Sequence, residues 1–447
     1  MNNLKVGFSK GNINPPMGIQ VRGYYKERFA EGILDDIEVV ALALQSGETK
    51  ALLITVDHCG IAQELAAQFR KVASESAGVP EDNIIISATH SHTCPQMLLE
   101  TEDELVQKYT EFVERRIADV SKFAVEDLKD AKMGYGKGSA PNVAFIRRYL
   151  MKDGSIKTNP GVNNPDIVRP IGNIDESVNV LRFDREGADT VVFVNFANHP
   201  DVVGGSLISG DWPGLLRRDV EKILDNTKCI VFNGAEGDVN HVNVHPKAGD
   251  LNGMFMDFDD VSRGYAHAEY IARVITAGVL QAYDKVNYVD IDAIYSKQEV
   301  INLPSNRPEP KDLPEAHRIN DLHNEGRDNE LPYEGMMLTT IVAEARRMVM
   351  LENGPDAFDV RLSGLAIGPV AIIGIPGEPF SGIGVGLKKT EGFDMIIPCC
   401  LTNGAQGYFP MQDSYDEGGY EAKSSRFKAG VAELIIAEGQ KLLKNIK

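Results

Sequence analysis

Six short runs of β-branched and other apolar residues recur along the chain, each ending in a polar turn. Residues 51–56 (ALLITV) lead into Asp57 and His58, residues 83–86 (NIII) into SATHSHTCP, and residues 190–196 (TVVFVNF) into ANHPD. Residues 229–232 (CIVF) lead into NGAEGDVNH, 370–375 (VAIIGI) into PGEPF, and 395–397 (MII) into PCCLTNGAQGY. Such runs are uniformly apolar rather than alternating, which is the pattern of strands buried on both faces. Helical spacing lies between them. Thr101 and Glu104 make a capping box ahead of Leu105, Tyr109, Phe112, Val113, Ile117 and Val120. Asp211-Trp-Pro213 predicts an N-cap with proline in the first turn, followed by Leu215, Leu216, Val220 and Ile223. Residues 263–283 and 428–443 also read as helices. The pattern predicts an α/β fold, layered, with mixed and largely buried sheets, flanking helices, and a site at the C-terminal ends of strands.

Residues 303–334 break this pattern with a polar, proline-bearing stretch. Its flanks read as one fold, so residues 1–447 are expected to form one domain, with 303–334 an inserted excursion serving as a lid or a homo-oligomer contact. The 447 residues carry 46 Lys and Arg against 65 Asp and Glu, a net charge of −19. That balance disfavours nucleic acid and anionic lipid surfaces as partners. No apolar run approaches the roughly 18 residues of a spanning helix, so membrane insertion is not expected. The N-terminal residues lack the apolar core of a signal peptide, which predicts a cytoplasmic protein. Five cysteines without a CxxC pair agree with a reducing compartment.

The polar turns hold the candidate chemistry. His90 and His92 follow one strand as His-Ser-His, and in extended chain both rings would point to one face. His199 follows a second strand, Glu378 a third and Tyr408 a fourth. Imidazole nitrogens with a carboxylate oxygen suit Zn²⁺ with an open position for water or substrate. Histidines that merely cap strand ends through hydrogen bonds would give the same pattern.

An ordered set of motifs goes further: SKGNINPPMG, SATHSHTCP at 87–95, NFANHP at 195–200, SGDWPG at 209–214, GAEGDVNH at 234–241, PGEPF at 376–380 and GYFPMQDSYDEGGYEA at 407–422. From about Val6 to about Ser425 the chain resembles the catalytic domain of the neutral (alkaline, non-lysosomal) ceramidases, zinc-dependent N-acyl amidases. The resemblance implies zinc held by His90, His199, Glu378 and Tyr408. It places His92 beside the metal as an acid/base group and makes Tyr420 an oxyanion donor, helped by Arg147. Asp238 would share the proton shuttling with His92, and Asp57 would orient an imidazole. Where the family carries a serine after GDV, this chain has Asn240 followed by His241, expected to bind a polar substrate. No segment matches the family's signal peptide or its C-terminal immunoglobulin-like domain.

These observations predict a zinc-dependent hydrolase of an amide-like bond in a small soluble molecule. Two other readings compete with it: a hydrolase using Cys94 as nucleophile, and a non-catalytic metal-binding or scaffold protein. The cluster Met254, Phe255, Met256 and Phe258 is expected to tuck into the core.

Overall fold

The computed structural model describes residues 3–446. A nine-stranded sheet is built from β1 (Leu4–Asn12), β2 (Glu38–Ser46), β3 (Thr49–Val56), β4 (Ile84–Ala88), β5 (Lys129–Ser139), β6 (Ser177–Arg185), β7 (Thr190–Phe196), β8 (Thr227–Asn233) and β9 (Asn287–Val289). Across the sheet the order is β8-β7-β6-β5-β1-β2-β3-β4, with β9 beside β5. The β3/β4 and β7/β8 pairs are parallel and the remainder antiparallel. A second sheet follows the order β10 (Ile294–Pro304), β11 (Ala357–Ile367), β12 (Val370–Gly374) and β13 (Met395–Cys399). The helices that matter here are α1 (Gln63–Ala77), α2 (Glu104–Glu126), α3 (Asp211–Ile223), α4 (Tyr265–Tyr283), α5 (Leu313–Asn324), α6 (Gly335–Leu351), α7 (Ser381–Leu387), α8 (Tyr420–Ser424) and α9 (Val431–Lys444).

The uniform apolar runs follow from the layering. In β2, Val39, Ala41 and Ala43 pack with Leu52, Ile54 and Ile86 beneath α1 and α2. The alternate residues Val40, Leu42 and Leu44 face the second sheet at Leu365, Ile367, Val370 and Ile372. Trp212, Leu216, Ile271 and Ile275 of α3 and α4 cover the other half of the large sheet on the helix side. The outer face of the second sheet carries Ile383 and Leu387 of α7 and Val431, Ile435 and Leu442 of α9. Helix, sheet, sheet and helix layers result, so both sheets need apolar residues on both faces. Among the described residues no helix is long and apolar enough to cross a membrane, and all five cysteines are buried and free.

Local details depart from the sequence pattern. Asp103 rather than Thr101 caps α2, its Oδ1 accepting from the N–H groups of Leu105 (2.8 Å) and Val106 (3.2 Å). Thr101 Oγ1 accepts instead from Asp103 N–H. The aspartate stands nearer the free N–H groups and carries the charge that the helix N-terminus favours. Asp211 is not the cap of α3 but its first residue, at φ +52°. Its buried carboxylate accepts from the N–H groups of Trp212, Val202 and Val203, pinning the loop after His199 to the helix. Residues 303–334 finish β10, form α5 and lead into α6. Ala316, Ile319 and Leu322 bury against Val342 and Ala345, with Tyr25 packed on the same cluster. Residues 254–258 do not enter the core. Phe255 is 78% exposed and Met256 64%, on a hairpin closed against Ser262 and Arg263, because the interleaved aspartates keep that segment at the surface.

Candidate metal centre

The β3/β4 ladder runs two residues past the strand, with Thr89 N–H donating to Val56 O and His90 N–H to His58 O. His90 then turns into the left-handed region at φ +76°. This turn, not strand alternation, aims the His90 ring at His92 and His199. A left-handed non-glycine residue is uncommon and strained, and such residues concentrate at functional sites. His199 follows β7. Glu378 and Tyr408 sit side by side in a two-residue parallel ladder. The turn after β8 lies tight against Glu378: a Cβ on Gly237 would stand 2.5 Å from the Glu378 carbonyl oxygen, so only glycine fits there. Gly23, at φ +123°, brings the 20–28 loop equally close to the His92 backbone.

Donor atoms converge in the space between these loops. His90 Nε2 lies 3.0 Å from His199 Nε2, 3.4 Å from His92 Nε2 and 3.3 Å from Glu378 Oε2. His199 Nε2 is 4.0 Å from the same carboxylate oxygen. A tetrahedral ion with bonds of 2.0–2.1 Å sets its donors about 3.3–3.4 Å apart, so the spacing suits one. His90 Nδ1 bonds the Cys59 carbonyl, which fixes the tautomer and leaves Nε2 free as a ligand. Glu378 Oε2 has no well-aligned hydrogen bond among the described residues.

Charge tells the same story. Burial works against a charged His90, yet Glu378 and Cys59 together outweigh it and hold the ring well above its usual pKa. Burial likewise works against an ionised Glu378, yet His90, with help from Arg147 and Tyr408, holds its carboxyl down. His199 is pushed well down by burial, then by His90 and Arg147, and burial pushes His92 down to about 3. The acceptor cluster thus calls for one positive centre. A proton on His90 meets that need, and a divalent cation meets it with more donors.

The other candidates fall in different places. Tyr408 lies beside Glu378 in the ladder, its ring 5.4 Å from the Arg147 guanidinium, so it borders the donor cluster. Burial and the Glu378 charge keep its pKa well above the ordinary value. Tyr420 packs edge-on to Tyr408 at 5.6 Å, with Tyr25 beside it. Arg147 and Arg148 are buried, not a solvated face. Arg147 donates to Glu421 and the Gly237 carbonyl, both at 2.7 Å, so it braces the site. Asp238 accepts from the N–H (2.6 Å) and the hydroxyl (3.0 Å) of Ser381 at the start of α7, which fixes the Glu378 turn. Asn240 is buried, bonding Asn159 and Val242 N–H; His241 is buried against the Ser262 carbonyl. Neither side chain is open to a substrate. Asp57 orients no imidazole: it pairs through both oxygens with Arg217 and accepts from Thr89. Breaking such a buried pair typically costs about 3–5 kcal/mol, so its role is structural. Cys94 is fully buried against the Ser209 carbonyl, and burial and the Asp57 charge push its thiol well up, the reverse of a nucleophile's needs.

Sequence reasoning missed several residues. Asp201, in the ANHPD turn, stands 3.8 Å from His92 Nδ1, and Arg263 outweighs burial to hold its carboxyl well below the usual range. Arg263 bonds Asp201 and Asp259 through two nitrogens each. Tyr24 donates to Asp201 and lies between Arg28 (4.0 Å) and Arg263 (4.8 Å), 5.4 Å from His92. Glu236, within GAEGDVNH, reaches the donor cluster itself. Its signal was a carboxylate in a glycine-bounded turn after a buried strand.

No family model matches this chain, and no curated protein matches it. Solved structures do. The chain is similar to the neutral ceramidase from Pseudomonas aeruginosa at TM-score 0.73 and 17% identity, over 100% of this chain and 74% of that one. It is also similar to a ceramidase complexed with C2, at TM-score 0.69 and 16% identity, over 100% of this chain and 75% of that one. At such identities the likeness is one of fold, and this chain has the fold of the neutral ceramidases.

Proposed function

We propose that this protein is a zinc-dependent hydrolase that cleaves an amide-like bond in a small, soluble, polar substrate. The observation that carries this reading is the buried meeting of His90 Nε2, His199 Nε2 and Glu378 Oε2, 3.0, 3.3 and 4.0 Å from one another. His90, His199 and Glu378 would hold the ion, with the Tyr408 phenol at its border. Bound zinc supplies Lewis acidity, polarising a carbonyl and acidifying water.

The chain's own residues do the rest. His92 is neutral at pH 7, and its Nδ1 has no hydrogen-bond partner among the described residues. It accepts a proton beside the centre, and Asp201 stabilises the charge it gains. Tyr420 keeps its proton, since burial and the neighbouring Tyr25 push its pKa well up. Its O–H donates to the substrate oxygen as negative charge develops there. Arg28, Arg263, Asp201 and Asp257 gather around Tyr24 beside His92, and so charged a neighbourhood favours a polar substrate over a long acyl chain.

Chelation followed by zinc add-back, assayed on water-soluble N-acyl compounds, esters and lactones beside short- and long-chain ceramides in mixed micelles, tests this directly. Activity on the soluble amides is expected to vanish with the metal and return with it. Ceramide turnover at or above about 10⁴ M⁻¹s⁻¹ would overturn the substrate class. Activity that survives chelation, or falls to alkylation alone, would overturn the mechanism.

A further inference from the structure

Glu236 is fully buried in the turn between β8 and Asp238. Both its carboxylate oxygens lack a well-aligned hydrogen-bond partner among the described residues; the Cys400 thiol, a weak donor, stands beside them. Leaving such a group unpaired inside a protein is costly, more so once it is ionised. The turn cannot retreat to relieve it. A Cβ on Gly234 would meet the Ala197 Cβ at 2.8 Å, and one on Gly237 would meet the Glu378 carbonyl oxygen at 2.5 Å. The turn is thus wedged between the His199 loop and Glu378. One Glu236 oxygen lies with donor atoms of His90, His199 and Glu378, all within 4.8 Å of one another.

We propose that Glu236 is a direct ligand of the bound cation, completing a set of two imidazoles and two carboxylates with His90, His199 and Glu378. This rests on the metal-dependent reading above. Two carboxylates balance a dication inside a buried site. They also make the set richer in hard oxygen donors, which narrows the preference for zinc over manganese. Tyr408 then serves as the ladder neighbour of Glu378 rather than the fourth ligand.

The test compares wild type, Glu236→Gln and Tyr408→Phe, stripped of metal and titrated with Zn²⁺ and with Mn²⁺ against a competing chelator. Wild type is expected to bind one ion per chain. Glu236→Gln should lose more than about a hundredfold in zinc affinity, beyond the roughly 10–100-fold cost of losing an outer hydrogen-bonding partner, and proportionally more for manganese. Tyr408→Phe should lose less than Glu236→Gln. Added zinc should raise the melting temperature of Glu236→Gln less than that of wild type. Glu236→Asp serves as a second variant with the charge kept, and should bind with intermediate affinity. Glu236→Gln affinity within a hundredfold of wild type would overturn the ligand assignment and leave the proposed function standing. A wild type that binds no ion would overturn both.

Discussion

His199→Ala is expected to give a folded protein holding well under one zinc per chain and showing no measurable hydrolysis. The ring is one of two imidazole donors in the cluster, and its removal leaves a single imidazole among carboxylates, a set less suited to zinc. Folding should survive, because the loop that carries it is anchored independently by Asp211 through the Val202 and Val203 N–H groups. His90→Ala should lose metal equally. It also removes the bond to the Cys59 carbonyl that holds a residue already at φ +76°, so His199 is the cleaner site to change. Metal analysis with circular dichroism on both variants decides the point. Full zinc occupancy in either would remove that histidine from the site.

The next largest effect is expected at Tyr420. Tyr420→Phe should keep the metal and the edge-on contact with Tyr408 while losing only the O–H. Turnover should fall by about ten- to a thousandfold, the range for a lost oxyanion donor, mainly in kcat. Tyr25 stands beside the Tyr420 phenol, so Tyr25→Phe is the control: it should change kcat less than Tyr420→Phe does. Unchanged kcat in Tyr420→Phe would reduce Tyr420 to a packing residue.

Much of this architecture was legible in the chain. Runs such as TVVFVNF and VAIIGI are apolar throughout because β7 and β12 lie in sheets covered on both sides, and that burial is written residue by residue. The turns that follow them hold His90, His199 and Glu378, and strand ends do bring these together. Other features depend on groups far away in sequence. Asp57 meets Arg217 across 160 positions, and Arg147 meets Glu421 across 274, so neither partner shows in a local window. The left-handed turn at His90 carries no glycine to announce it. Glu236 was overshadowed by Asp238 two residues on, although Asp238 is the one consumed by Ser381. The exposed hairpin at 254–263 misled in the opposite way: its aromatic residues suggested core, while its aspartates, drawn to Arg263, decided its position.

The metal centre is the central claim, and anomalous scattering at the zinc absorption edge, from crystals of zinc-loaded protein, tests it most directly. One strong anomalous peak is predicted between the Nε2 atoms of His90 and His199 and the Glu378 carboxylate. A map with no peak there, or with its only peak elsewhere on the chain, would contradict the account.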